Sequence, residues 1–252
     1  LDDSICEDNI FPTFSDVLIS LENIMERSSY SDNTKSDYKG ALSTRIESLT
    51  KGLVGKIFDE DELTDEELFD ENVIVDISRV GSSETKSLIM GILLLKLNQH
   101  RMATGKMNDN LRHVTILEEA HHLLPRTSKE FSSESGNIKG KAVEMLSNAI
   151  AEMRTYGEGF IIVDQSPNML DISAIRNTNT KIIMRLSELD DRRDIGKSAT
   201  LSDEQIDEIP KLDRGVAVVY QNGWEESILS KIEISNIEIE RKNEKYIYNY
   251  QK

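Results

Sequence analysis

A chain of 252 residues, 38% apolar and 30% charged, is long enough to bury a sizeable core as one large domain or a domain with a small appendage. Its net charge of −16 argues against a broad surface coated by nucleic acid, because phosphate binding needs clustered Lys and Arg, but it leaves room for a narrow basic strip inside a channel. A lone cysteine, Cys6, excludes an internal disulfide framework and multi-cysteine metal clusters, and the longest apolar run, Leu88 to Leu95, is too short to span a bilayer. With no signal peptide at its start, the sequence reads as a cytoplasmic protein with no membrane partner. It opens on Leu1 rather than Met, so features absent from it are expected upstream.

In chain order, Phe14, Val17, Leu18, Leu21, Ile24 and Met25 recur at helical spacing, with Thr13 or Ser15 available as a cap. Leu42, Ile46, Leu49 and Leu53 repeat the pattern, which predicts an antiparallel helical pair. The acidic stretch from Asp59 to Glu71 reads as a solvated linker with a short helix, or else as a patch that binds a partner or mimics DNA. From Asn72 the rhythm changes. Short β-branched runs at 72–77, 113–117, 159–163, 180–185 and 215–220 predict strands, and helices are expected at 83–102, 139–155 and 203–208. A further strand at 226–234 would pair back through the Asn222-Gly223 turn. Strands alternating with helices imply right-handed crossovers, an α/β fold and a mostly parallel sheet whose chemistry lies at the C-terminal ends of the strands.

The strand ends then decide the reading. The apolar run from His113 closes on two adjacent carboxylates, Glu118 and Glu119, which is the Walker B arrangement. In that arrangement the first acid anchors Mg²⁺, usually through water, and the second polarises the water that attacks the γ-phosphate of ATP. Consecutive residues leaving a strand point in different directions, so one acid is free for metal and the other for water. The strand at 159–163 runs into Asp164-Gln165-Ser166-Pro167, where the Gln165 amide can sense the γ-phosphate. Arg154 ends the preceding helix. It is placed either to act in trans on a neighbouring subunit's nucleotide or to complement the helix dipole, with Gly157 as the helix stop.

Together these segments resemble the HerA-like branch of the FtsK/HerA superfamily of DNA-pumping ATPases. The resemblance rests on Leu117-Glu118-Glu119-Ala120-His121, Met153-Arg154-Thr155-Tyr156-Gly157 and Asp164-Gln165-Ser166-Pro167, with Val73 to Ser78 upstream and Asn177 to Leu186 downstream. They fall in the family's order over residues 72–220. It implies a RecA-like P-loop core, incomplete at its N-terminus, with a helical subdomain. The implied organisation is a helical subdomain and acidic linker at 1–71, an ATPase core at 72–235 and a charged tail at 236–252. It further implies ATP and Mg²⁺ as ligands, DNA held in a central channel, a hexameric ring in the full-length protein, and a nuclease or other effector as partner. Glu118 then binds metal, Glu119 and Gln165 serve hydrolysis, and Arg154 serves a neighbouring subunit.

The sequence departs from the family pattern in three places. Glu118 stands where Asp is commoner, and Asp164 and Ser166 replace the Thr and Arg of Thr-Gln-Arg-Pro. No Gly-x-x-x-x-Gly-Lys-Ser/Thr phosphate loop is present. Gly136 to Lys141 is one residue short of it, and Asp191 to Ser198 lacks its first glycine. The phosphate loop is therefore expected N-terminal to Leu1 and the chain alone is expected to be inactive; the alternative is a non-catalytic assembly or docking module. Glu119 and His122 form a Glu-x-x-His element with no second copy, so sensing or packing is expected of His121 and His122 rather than iron binding. Arg126, Lys129, Lys139 and Lys141 offer a channel-facing DNA contact, or belong to a surface loop.

Overall fold

The computed structural model describes residues 13–58, 63–127 and 134–233. Cys6, Lys129 and the tail from Asn236 lie outside the described residues. The chain forms two compact units, one from residues 1–113 with 155–158, the other from 114–154 with 159–252.

In the first unit, α1 (Phe14–Arg27) starts at a capping box, in which Thr13 accepts from the Asp16 backbone and Asp16 reaches back to the Thr13 N–H. It packs against α2 (Asp32–Thr50), capped by Ser31, so the expected helical pair is present. Gly52, at φ +67°, breaks the second helix and opens the short α3 (Gly52–Ile57). A second capping box, Thr64 with Glu67, nucleates α4 (Asp65–Phe69) at the end of the acidic run and buries Phe69. The long helix α5 (Ser83–Thr104) follows, capped by Ser82 and burying Ile89, Leu94, Leu97, His100 and Arg101.

The expected strand at 72–77 is absent. That segment joins no sheet among the described residues, and Ile74 is 93% exposed. A β-branched run becomes a strand only when another backbone supplies its ladder, and here no described segment does.

Next in the chain, β1 (His113–Glu118) leads through a 3₁₀ turn at Ala120–His122 to α6 (Glu134–Met153). A second 3₁₀ turn, Arg154–Tyr156, then opens β2 (Glu158–Val163), which hydrogen-bonds to β1 as a parallel pair. The expected crossover helix is present and starts earlier than its periodicity suggested. Downstream come α7 (Ile172–Asn177), β3 (Thr180–Ile183), α8 (Leu189–Ser198), α9 (Asp203–Glu208), β4 (Val216–Gln221) and β5 (Ile228–Lys231).

β4 and β5 pair antiparallel as expected, with Val219 opposite Ile228. The antiparallel pairing of β3 with β4, with Ile182 opposite Val219, departs from the expected mostly parallel arrangement. The Asn222-Gly223 turn accounts for the β4–β5 hairpin: Gly223 takes φ +93°, and so short a loop can only reverse the chain. Ile183, Ala199, Ile209 and Tyr220 form the core under this sheet. On β1 and β2 the alternate residues Val114, Ile116, Ile161 and Val163 are 40–59% exposed, so these strands are covered on one face rather than two.

Candidate functional site

Both Gly-Lys segments that approach the phosphate-loop pattern are helical. Residues 136–141 lie inside α6 and residues 191–198 inside α8. Gly196 is tied to packing, since a Cβ there would sit 2.7 Å from Ile206 Cγ1. A helix interior has its N–H groups committed to the i−4 carbonyls and cannot cradle a phosphate.

The carboxylates of interest sit where β1 ends. Glu118 is the last strand residue, with its side chain exposed. Glu119 has φ 49° and ψ 47°, a left-handed conformation that costs a side-chain-bearing residue about 1–3 kcal/mol. The reversal turns the chain sharply out of the strand and separates the directions of the two acids. Glu119 is 59% exposed, and its Oε2 lies 3.5 Å from His122 Nε2, the i+3 neighbour across the 3₁₀ turn.

The end of β2 comes to the same place. The Asp164 side chain is 3% exposed, and its Oδ2 accepts from both the backbone N–H and ring Nδ1 of His121, each at 2.9 Å. Its Oδ1 accepts from the Ser166 N–H at 2.9 Å. One buried carboxylate therefore ties together the turns that leave the two strands. Gln165 follows immediately and is exposed. Glu118, Glu119 and Gln165 thus share the C-terminal edge of one parallel pair, where ligands bind in open α/β sheets.

Arg154 is not brought to them. It is exposed and precedes β2, so the six residues of that strand, roughly 20 Å at strand rise, separate it from Gln165. Arg126 is already engaged, donating to Asp194 and to the Asn168 carbonyl. No cluster of three or more His, Cys, Asp or Glu fit for a metal ion occurs among the described residues. Exposed, closely spaced Glu118 and Glu119 suit a cation that keeps its waters and takes its remaining ligands from phosphates, as Mg²⁺ does, rather than one held in a protein cage. No helix among the described residues is long and apolar enough to cross a membrane.

The contribution of Asp164 was not evident from the sequence. Its partner lies 43 residues away, and an Asp replacing Thr in a Thr-Gln-Arg-Pro pattern reads simply as a departure. The Glu119–His122 contact did leave a signal, the Glu-x-x-His spacing of one helical turn.

No family model matches the sequence. The structure of VirB4 from Thermoanaerobacter pseudethanolicus superposes with a TM-score of 0.60 at 15% identity, over 90% of this chain and 56% of that one. The fold is that of the α/β P-loop NTPases. In sequence, the DNA double-strand break repair helicase HerA of Sulfolobus acidocaldarius is 26% identical over 152 residues, 59% of this chain and 29% of the relative. The protein of the same description from Sulfurisphaera tokodaii is 29% identical over 110 residues, 43% of this chain and 20% of the relative. In sequence the chain is similar to HerA-like members of the FtsK/HerA superfamily. Its match spans less than a third of the length of these two relatives.

Proposed function

We propose that this chain supplies the water-activating half of an ATPase site in an ATP-driven DNA translocase. The observation that carries the reading is the convergence of Glu118, Glu119 and Gln165 on one edge of the β1–β2 pair. Similarity to HerA helicases supports the class of activity. In this reading Glu118 would hold Mg²⁺, which would supply positive charge against the nucleotide phosphates. Glu119 orients and polarises the attacking water, and Gln165 contacts the γ-phosphate.

Arg154, exposed and remote from these groups in its own chain, is assigned to a neighbouring subunit's nucleotide, which requires a ring. A hexamer with DNA in a central channel satisfies that requirement and keeps the acidic exterior away from the phosphates. Cytoplasmic DNA processing or defence, with a nuclease or other effector, is the matching setting. The helical segment before residue 72 serves as a subdomain, and residues 72–235 as the core.

The deciding experiment is Glu119→Gln in the full-length gene product. DNA-stimulated ATP hydrolysis is expected to be lost while ATP binding persists; hydrolysis at the wild-type rate would remove Glu119 from this role. The isolated 252-residue chain is expected not to turn over ATP, and turnover by it would contradict the need for a phosphate loop from outside it. A non-catalytic docking role is the rival, favoured by the helical state of both Gly-Lys segments. In mixed rings, Arg154→Ala is expected to lower hydrolysis in proportion to its share of subunits, which a docking module would not show.

A further inference from the structure

The side chain of Glu119 stands at one end of a contact chain that reaches into the interior. Its Oε2 lies 3.5 Å from His122 Nε2, and the His122 ring lies 4.4 Å from that of His121, inclined at 42°. His121 is held by Asp164, which accepts from its backbone N–H and from Nδ1 on a single oxygen. Asp164 is fixed in turn by the Ser166 N–H and by its own burial.

A contact at 3.5 Å to a carboxylate that is 59% exposed holds little by itself, because an unconstrained pair loses side-chain entropy for a small gain in water. The contact gains force if the imidazole is already immobile. The carboxylate at Nδ1 sets the proton of His121 on that nitrogen and fixes the ring plane, and a dry acceptor strengthens both bonds. The ring of His122 then rests against a fixed surface. On the other side, the left-handed backbone of Glu119 fixes where its side chain begins.

We propose that Asp164 is a positioning residue for the Glu119 carboxylate, acting through the paired rings of His121 and His122. The inference rests on the role given to Glu119 above. In it Asp164 and His121 touch neither nucleotide nor water; they restrict the positions from which Glu119 works.

The test uses Asp164→Asn and His122→Phe in the full-length gene product, with Glu119→Gln alongside. Asp164→Asn keeps the size but loses the charge and one acceptor; His122→Phe keeps the ring and loses Nε2. Each is expected to lower kcat for ATP hydrolysis about tenfold, the usual scale for a group that orients another, with KM for ATP unchanged. The ring ¹⁵N signals of His121 are expected to show the Nδ1–H tautomer in the wild type and a mixture in Asp164→Asn. Wild-type kcat in both variants, or an unchanged His121 tautomer without the Asp164 charge, would overturn the proposal. If Asp164→Asn does not fold, His122→Phe decides alone, since its side chain is at a partly open edge. Hydrolysis by Glu119→Gln would instead remove the role of Glu119, and the positioning with it. Loss of hydrolysis in Glu119→Gln, with both other variants at the wild-type rate, would remove only the positioning.

Discussion

The Arg101 guanidinium donates through Nε to Glu158 at 2.8 Å, with only 8% and 0% of the two side chains exposed. The pair joins α5 to the first residue of β2 across 57 residues of sequence. Arg101 also donates to Asp70 and to the Phe69 carbonyl, so its remaining nitrogens are occupied. Glu158 accepts in addition from His113 Nδ1 at 2.8 Å. Glu158 and His113, the first residues of the two strands, are therefore held in a charged network.

Removing one partner of such a pair is expected to cost far more than the pair contributes, because it strands the other charge in a dry environment. Arg101→Met should lower stability by about 3–5 kcal/mol. The double variant Arg101→Met, Glu158→Met should recover part of that loss. Urea unfolding of the three proteins checks this; a single-variant loss no larger than that of the double variant would contradict it.

Asp70 gives the same network a pH dependence. Partial burial works to raise its carboxyl, but hydrogen bonds from Arg101 and His100 outweigh this and hold it below the ordinary Asp value. A carboxyl depressed on folding adds stability above its unfolded pKa, and that stability is lost as pH falls through the folded value. Asp70→Asn should therefore be less stable than wild type at pH 7 and equal to it at strongly acid pH. Denaturant midpoints measured across this range test it, and a gap that widens on acidification would refute it.

Lys181 acts in the opposite direction. It is 6% exposed, donates to the Thr178 carbonyl at 2.9 Å, and lies near the ring of Tyr220, with its ammonium 6.0 Å from the centroid. Burial pushes its pKa below the ordinary lysine value. Between the folded and unfolded values the unfolded chain holds a proton that the folded one lacks, so stability rises with pH in that window. Lys181→Met, which removes the titrating group, should flatten this rise in thermal unfolding followed at alkaline pH.

Gly196→Ala sets two effects against each other. In a helix interior Ala is favoured over Gly by about 1 kcal/mol. Here the added Cβ meets Ile206 Cγ1 at 2.7 Å and Cδ1 at 3.1 Å, and Ile206 is 2% exposed with little room to yield. Overpacking of this kind costs about 1–3 kcal/mol, so the variant is expected to be destabilised or at best unchanged. A raised unfolding midpoint would show that Ile206 moves aside.

Local periodicity and punctuation were enough to define several elements by themselves. The helix at 203–208 and the turn at Asn222-Gly223 follow from capping and from the φ > 0 demand of a tight reversal, which depend on a few adjacent residues. Walker-like acids at the end of a β-branched run were legible for the same reason, since residue type and spacing within a strand are local properties. What needed tertiary structure was every feature depending on a distant partner. The run 72–77 has strand composition but no described ladder partner, and β3 pairs antiparallel with β4 rather than parallel. Glu158 stands just ahead of the run at 159–163 with nothing local to single it out, yet the fold buries it beside Arg101. Asp164 read as a lapse in a motif, yet it is the acceptor that holds His121. Hydrogen bonds and ion pairs between residues tens of positions apart leave no periodicity in the chain, so only the folded arrangement reveals them.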